Sequence, residues 1–278
     1  MKRFRKIYVE ISNICNLRCN FCPGTTRKPM RMEEDAFASL LPELSHWTDY
    51  VYFHLMGEPL CHPNLGRYLQ LAADNGLKVI ITTNGTLLKK QQDLLINSDG
   101  LHKVNISLHA FEANDLAVPF KEYLNDCMSF GMASAGKKLI CYRLWNQGGA
   151  DSKNSEILAA LEHAFPKPWK ESSRGIRLTD GVYLEYGEKF DWPDMSAEED
   201  CGQLFCYGLR DQIGILCDGT VVPCCLDHNG DIPLGNIFES TMEEILKSKP
   251  AKAIYDGFSN RIAVHPLCRR CGYARRFR

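Results

Sequence analysis

Between residues 5 and 190 the chain alternates short β-branched and aromatic runs with stretches of helical period, and no other feature limits its fold as tightly. KIYVEIS (6–12), YVYFHLM (50–56), KVIITT (78–83), KVNISL (103–108) and KKLICYRL (137–144) each read as a strand bounded by Asn, Gly or charge. A sixth strand is expected at GVYLEYG (181–187). EEDAFASLLPEL (33–44), LGRYLQLAADNG (65–76), TLLKKQQDLLINS (86–98), VPFKEYLNDCMSFG (118–131) and NSEILAALEHAF (154–165) space apolar residues as helices do. Asn154 or Ser155 is the expected cap of the last of these. Strand–helix alternation over six units predicts an α/β fold whose parallel sheet, with right-handed crossovers, is open or curled into a partial barrel. After FDWPDMSAEED (190–200) the chain turns Cys-, Gly- and Arg-rich, with one helix at 241–258 interrupted near Pro250. The expected domains are therefore 1–195 and 196–278.

Composition narrows the function classes. The chain has 278 residues, and its 33 Lys and Arg against 34 Asp and Glu argue against a broadly basic nucleic-acid binder. No apolar run approaches the ~20 residues needed to span a bilayer. The N-terminal MKRFRKIYVEIS lacks the apolar core of an export signal, so a cytoplasmic protein without a membrane role is expected. Thirteen cysteines are then unusual, because cytosolic thiols rarely pair. An odd count at short paired spacings points to metal ligation. Cys61, Cys127 and Cys141 stand alone and are expected to be inert buried thiols.

Cys15, Cys19 and Cys22 follow the first strand with the spacing C-x3-C-x2-C. Three thiolates on one short loop can hold three corners of a 4Fe–4S cluster but cannot complete its usual four-Cys shell. A structural zinc site would have the same defect. One position is left for an exogenous group, as in a catalytic centre. The C-terminal end of a strand is also where barrel enzymes place their sites.

This motif, with Phe21 before its last cysteine, resembles the signature of the radical S-adenosylmethionine (radical SAM) superfamily. MGEP (56–59) resembles that family's Gly-Gly-Glu-Pro motif, with Met56 in place of the first glycine. TTNG (82–85), SLHA (107–110) and RLWN (143–146) fall at the ends of the third, fourth and fifth strands, where the family carries further motifs. The resemblance implies a partial (βα)6 TIM-like barrel. It also implies that Cys15, Cys19 and Cys22 hold a 4Fe–4S cluster whose open iron binds the amino and carboxylate groups of SAM. One electron would cleave the sulfonium, giving a 5′-deoxyadenosyl radical that abstracts hydrogen from substrate. The implied cofactor-contacting residues are Phe21, Gly57, Glu58, Pro59, Thr83, Asn84, Ser107, His109, Arg143 and Asn146. Gly57 would allow close backbone approach, Glu58 would assist electrostatically or fix its loop, and Arg143 would contact a carboxylate or form a surface ion pair. No individual catalytic residue is assigned. His54 and His109 read equally well as satisfied histidines.

Downstream, Cys206, Cys224 and the pair Cys268–Cys271 can close a four-thiolate shell around iron–sulfur or zinc. CDGTVVPCC (217–225) between them reads as a hairpin turning at Asp218-Gly219, and LGNIFESTMEEIL (234–246) as a loop entering a capped helix. The arrangement resembles the SPASM/twitch modules that hold auxiliary 4Fe–4S clusters. Only seven residues follow Cys271, so the single-cluster twitch form is expected. Cys217 and Cys225 are alternates for this set, or one of them is instead a thiol facing substrate, and Cys201 is expected to be only a neighbour. The arginines of RRCGYARRFR are expected to compensate the anionic cluster.

The function so implied is an oxygen-sensitive radical SAM enzyme acting on a peptide or a small alcohol, with a reductant such as flavodoxin or ferredoxin. A monomer is expected. No peptide-recognition segment precedes the first strand, which favours a small substrate or a peptide delivered by another protein. The alternative is a non-catalytic iron–sulfur carrier or scaffold.

Overall fold

A computed structural model describes residues 3–199 and 204–277. Six parallel strands run side by side in chain order: β1 (Lys6–Val9), β2 (Tyr50–Tyr52), β3 (Lys78–Thr83), β4 (Leu101–Ser107), β5 (Leu139–Gln147) and β8 (Val182–Glu188). Between them lie α1 (Glu34–Trp47), α2 (Leu65–Asp74), α3 (Leu88–Asn97), α4 (Phe120–Ser134) and α5 (Asn154–Ala164). This is the expected partial barrel. Val51, Val79, Ile81, Val104, Ile106 and Ile140 are fully buried in the core, which they share with Phe37, Leu41 and Leu44 of α1. These strand positions are apolar because they share the face of the sheet that packs in the core; the alternate positions face the other way.

Several local expectations fail for identifiable reasons. The second strand stops at Tyr52, since the rest of its apolar run, through Met56, turns into the loop leading to Gly57. Neither Asn154 nor Ser155 caps α5. Lys153 occupies that position without a side-chain cap, and the Glu112 carboxylate accepts from the backbone N–H of Ser152 and Lys153 at 3.1 and 3.4 Å instead. A hairpin of β6 (Lys170–Ser172) and β7 (Gly175–Thr179) enters between α5 and β8, pairing antiparallel with β8. Its residues are mostly exposed, so no hydrophobic alternation advertises them.

The Cys-rich region continues the same sheet. β9 (Gln212–Ile215) pairs parallel with β1, and β10 (Thr220–Val222) and β11 (Gly235–Asn236) follow antiparallel. The predicted hairpin turns at Gly219, whose φ of 85° suits glycine. The expected long helix is two: α6 (Met242–Lys247), opened by a Thr241/Glu244 capping box, and α7 (Lys249–Ser259), capped by Ser248. A short helix, α8 (Pro266–Arg269), carries Cys268. Among the described residues no helix is long and apolar enough to cross a membrane.

A buried ion pair within the barrel is hydrogen-bonded to this region. Glu10, just beyond β1, is 1% exposed and takes a bidentate contact from Arg27 at 2.7 and 2.6 Å. Its oxygens also accept from the backbone N–H of Met56 and Cys217, both at 3.3 Å. Arg27 Nε donates to the His228 carbonyl at 3.0 Å. Removing the cation alone strands a buried carboxylate, a loss of about 3–5 kcal/mol. Arg27→Met is therefore expected to lower unfolding free energy by about that much, and Glu10→Leu/Arg27→Met to recover a large part of it, in denaturant titrations of cluster-free protein.

Candidate active site

The C-terminal edge of the parallel strands carries the first cysteine loop. Asn13 staples its base, donating to the Lys28 carbonyl at 2.9 Å and accepting from Met30 N–H at 2.7 Å. Cys15 and Cys22 are exposed and Cys19 half-exposed. Asn114 donates to Cys19 Sγ at 3.1 Å, and Leu17 N–H to Cys15 Sγ at 3.4 Å. Desolvation raises all three thiols, Cys15 to about 11, so the bare loop is protonated at neutral pH. A metal must displace those protons. Among the described residues no three or more His, Cys, Asp or Glu side chains are arranged for a single metal ion. A multi-iron cluster places each thiolate on its own iron and has no need of such convergence. Three thiols presented on one loop fit that donor set.

The residues after β2 and β3 brace this loop. Gly57 has φ of 80°, and a Cβ there would lie 2.3 Å from the Ser12 carbonyl. The close approach anticipated for this glycine is thus to the cysteine loop's own backbone. Glu58 N–H donates to the Ile14 carbonyl at 2.9 Å. Its buried carboxylate accepts from Leu60 and Asn84 N–H at 3.0 and 2.8 Å, so it fixes the loop. Pro59 opens the turn at 59–61, and the Thr83 hydroxyl accepts from Gly85 N–H. Asn84 donates to Asn16 Oδ1 at 2.9 Å and accepts from Thr86. Asn146 holds Ala150 and Asn154. None of these six lines the barrel cavity; Glu58, Thr83, Asn84 and Asn146 spend their side chains on protein partners.

The cavity itself holds about 550 Å³, and Phe21, Ser107, His109 and Arg143 line it. Phe21 and His109 rings lie 5.1 Å apart. His109 Nδ1 is 3.1 Å from the Arg143 carbonyl and 3.4 Å from Trp145 N, and burial lowers its pKa. Arg143 pairs with Glu185 at 3.2 Å and lies over the Trp145 ring. Burial lowers His54 to about 3, so it is neutral, and its Nδ1 is buried without a partner. Sequence reasoning missed Tyr8, Tyr52, Lys103, Asn105 and Glu185 on these walls. The signal was present in Lys103-x-Asn105-x-Ser107, a polar face on a central strand.

The four predicted auxiliary ligands, Cys206, Cys224, Cys268 and Cys271, all line a second pocket walled by Leu204, Leu226, Ile232, Phe258 and Leu267. Burial raises each thiol, Cys206 to about 11, and the neighbouring cysteines raise Cys224 further. The alternates separate. Cys217 is buried against the Glu10 carbonyl at 3.1 Å, whereas Cys225 faces the barrel cavity. Cys201 lies outside the described residues. Of the lone cysteines, Cys127 and Cys141 are buried but Cys61 is half-exposed. Terminal arginines are engaged by the protein itself: Arg269 and Arg270 meet Glu199, and Arg276 packs on Tyr273.

Residues 9–128 match the radical SAM superfamily model, and residues 206–272 match SPASM, an iron–sulfur cluster-binding domain. The chain belongs to the radical SAM superfamily and carries a SPASM-type domain. It is 33% identical over 113 residues to the GTP 3′,8-cyclase of Chlorobaculum tepidum, covering 38% of this chain and 33% of that protein. It is 28% identical over 116 residues to the S-adenosyl-L-methionine-dependent 2-deoxy-scyllo-inosamine dehydrogenase of Niallia circulans, covering 39% and 46%. These alignments span a third to under half of the relatives' lengths. The crystal structure of BtrN in complex with AdoMet and 2-DOIA superposes with a TM-score of 0.63 at 19% identity, over 98% of this chain and 94% of that one. The shared fold extends through both regions.

Burial raises the Glu58 carboxyl from 4.5 to about 7, against its backbone hydrogen bonds. Folded Glu58 therefore holds its proton more tightly than the unfolded chain does. Its stabilising contribution is full below about pH 4.5 and lost as pH rises through about 7. Glu58→Gln lacks this titration. In cluster-free protein the stability of the wild type relative to this variant is expected to fall by about 2–4 kcal/mol between about pH 5 and 8, read by urea unfolding.

Proposed function

We propose that this protein is a radical SAM enzyme that cleaves S-adenosylmethionine reductively and removes a hydrogen atom from a substrate held in the barrel cavity. The observation that carries this reading is the placing of that cavity between two thiol sets. Phe21 of the Cys15–Cys22 loop forms one wall. Gln212, Leu226 and Tyr273, on the other side, line both the cavity and the four-cysteine pocket. A cluster held by Cys15, Cys19 and Cys22 would supply the one-electron reduction of the SAM sulfonium and with it the hydrogen-abstracting chemistry, while the residues of this chain position and enclose the reactants.

Cys15, Cys19 and Cys22 would hold that cluster, and Cys206, Cys224, Cys268 and Cys271 an auxiliary one. Phe21, Ser107, His109 and Arg143 would contact SAM directly. Gly57, Glu58, Pro59, Thr83, Asn84 and Asn146 would shape the loops around it. Residues 1–195 would form the SAM-binding core and 196–278 the auxiliary module, closed over the cavity by Trp192, Cys225 and Tyr273. The aromatic walls of Tyr8, Tyr52, Trp145 and Tyr273 would help to shield a radical from water. The substrate is a small molecule or a peptide side chain, and a flavodoxin or ferredoxin would supply electrons in the cytoplasm.

Anaerobically reconstituted protein is expected to bind roughly eight irons, and the Cys15→Ala/Cys19→Ala/Cys22→Ala variant roughly four. Iron near four in the wild type, or stoichiometric zinc, would remove the auxiliary cluster from this account. With dithionite the wild type is expected to form 5′-deoxyadenosine from SAM, and the triple variant none. Equal behaviour of the two under strict anaerobiosis would favour a non-catalytic iron–sulfur carrier.

A further inference from the structure

The barrel cavity is unbalanced in charge. Lys6, Lys103, Arg143, Arg174 and Lys189 line it against the single carboxylate of Glu185. Glu185 is already committed to Arg143 at 3.2 Å, and also accepts from the Cys141 thiol at 3.4 Å. Neither Lys103 nor Arg174 has an ion-pair partner among the described residues. Arg174 instead lies loosely over the Tyr183 ring, 6.0 Å from its centroid.

Arg174 is brought there by the inserted hairpin. Gly175, the first residue of β7 after the tip, has φ of 100°, and a Cβ there would stand 2.5 Å from the Leu184 carbonyl. The missing side chain lets the tip close onto β8 and brings Ser173, Arg174 and Gly175 to the cavity wall. Lys103 is half-buried on β4; burial lowers its ammonium pKa and Arg143 and Arg174 add to the effect, against the opposing influence of Cys141 and Glu185. His102 next to it is held neutral by burial and then by Lys78, Arg174, Lys103 and Lys138. Cations gathered in a partly desolvated cavity repel one another unless an anion joins them. Asn105, two residues along β4 and 1% exposed, lines the same cavity, and its buried Oδ1 has no hydrogen-bond partner among the described residues. That oxygen calls for a hydroxyl or amine donor.

We propose that the substrate is an organic acid whose carboxylate or phosphate is bound between Lys103 of β4 and Arg174 of the β6–β7 hairpin tip. Its body packs on the aromatic walls of Tyr8, Tyr52 and Trp145, and a donor group meets Asn105 Oδ1. The hairpin is thus the specificity element of the barrel. The inference rests on the radical SAM reading only in calling the bound acid the substrate.

The test is calorimetric titration of anaerobically reconstituted protein with 2-naphthoate, 2-naphthyl phosphate and neutral 2-naphthamide, without SAM or reductant. At least one of the two acids is expected to bind roughly tenfold or more tightly than the amide, and whichever acid does so names the group. Lys103→Met and Arg174→Met are each expected to reduce that acid to the level of the amide and leave the amide unchanged, while Arg174→Lys keeps most of the preference. Should Lys103→Met unfold, Arg174→Met on the exposed tip decides alone. Equal binding of acid and amide, no binding of any probe at millimolar concentration, or a preference that survives Arg174→Met overturns the proposal. So does loss of acid binding under saturating SAM, which would give these cations to the SAM carboxylate. Formation of 5′-deoxyadenosine is a separate measurement, so failure of the radical reading and failure of the acid site are distinguishable.

Discussion

The buried Glu10–Arg27 pair is the constraint on which the two halves of this protein depend. A carboxylate 1% exposed at the end of the first strand is tolerable only when every lone pair is engaged. Here four segments supply the partners: the cysteine loop through Arg27, the loop before Gly57 through Met56 N–H, the β9–β10 turn through Cys217 N–H, and His228 through Arg27 Nε. Thr25 adds a hydrogen bond to Asn229 Oδ1 at 2.9 Å. The loop carrying the first three thiols and the region carrying the other four are thereby held in one register. Neither can shift without exposing the pair's charges to incomplete solvation.

That coupling explains why the cavity has walls from both ends of the chain. β9 continues the barrel sheet beside β1, and the chain leaving β10 reaches the seam between the two spaces. There it bends at Cys224 and turns at Cys225, so that Cys224 joins the four-cysteine pocket and Cys225 the barrel cavity. Only a thin layer, including Leu226 and Tyr273, separates the two spaces. The apolar walls of the four-cysteine pocket would tune the potential of a cluster held by its four thiols.

Much of the site was readable because its chemistry is local in the chain. C-x3-C-x2-C needs only one loop to present three thiols, and Gly57 and the hairpin turn at Gly219 follow from backbone sterics. The division of roles within the motifs was less readable. Glu58, Asn84 and Asn146 stood as cofactor contacts, yet their side chains meet protein backbone and the side chains of Asn16 and Asn154. A polar residue at a strand end serves a ligand or a loop according to which partner comes within about 3 Å, and that distance is set by other segments.

The sequence by itself determined the alternating elements, the parallel sheet and the two thiol sets, because period, propensity and short cysteine spacing act over a few residues. Only the tertiary structure decided which polar residues share the cavity. Lys103 and Arg174 are seventy-one positions apart and meet through a hairpin whose exposed strands leave no hydrophobic pattern. Cys217 and Cys225 look equivalent in sequence, yet one is sealed under Glu10 and the other faces the cavity. Side-chain direction and charge balance are properties of the packed sheet, where segments far apart in the chain must share one desolvated space.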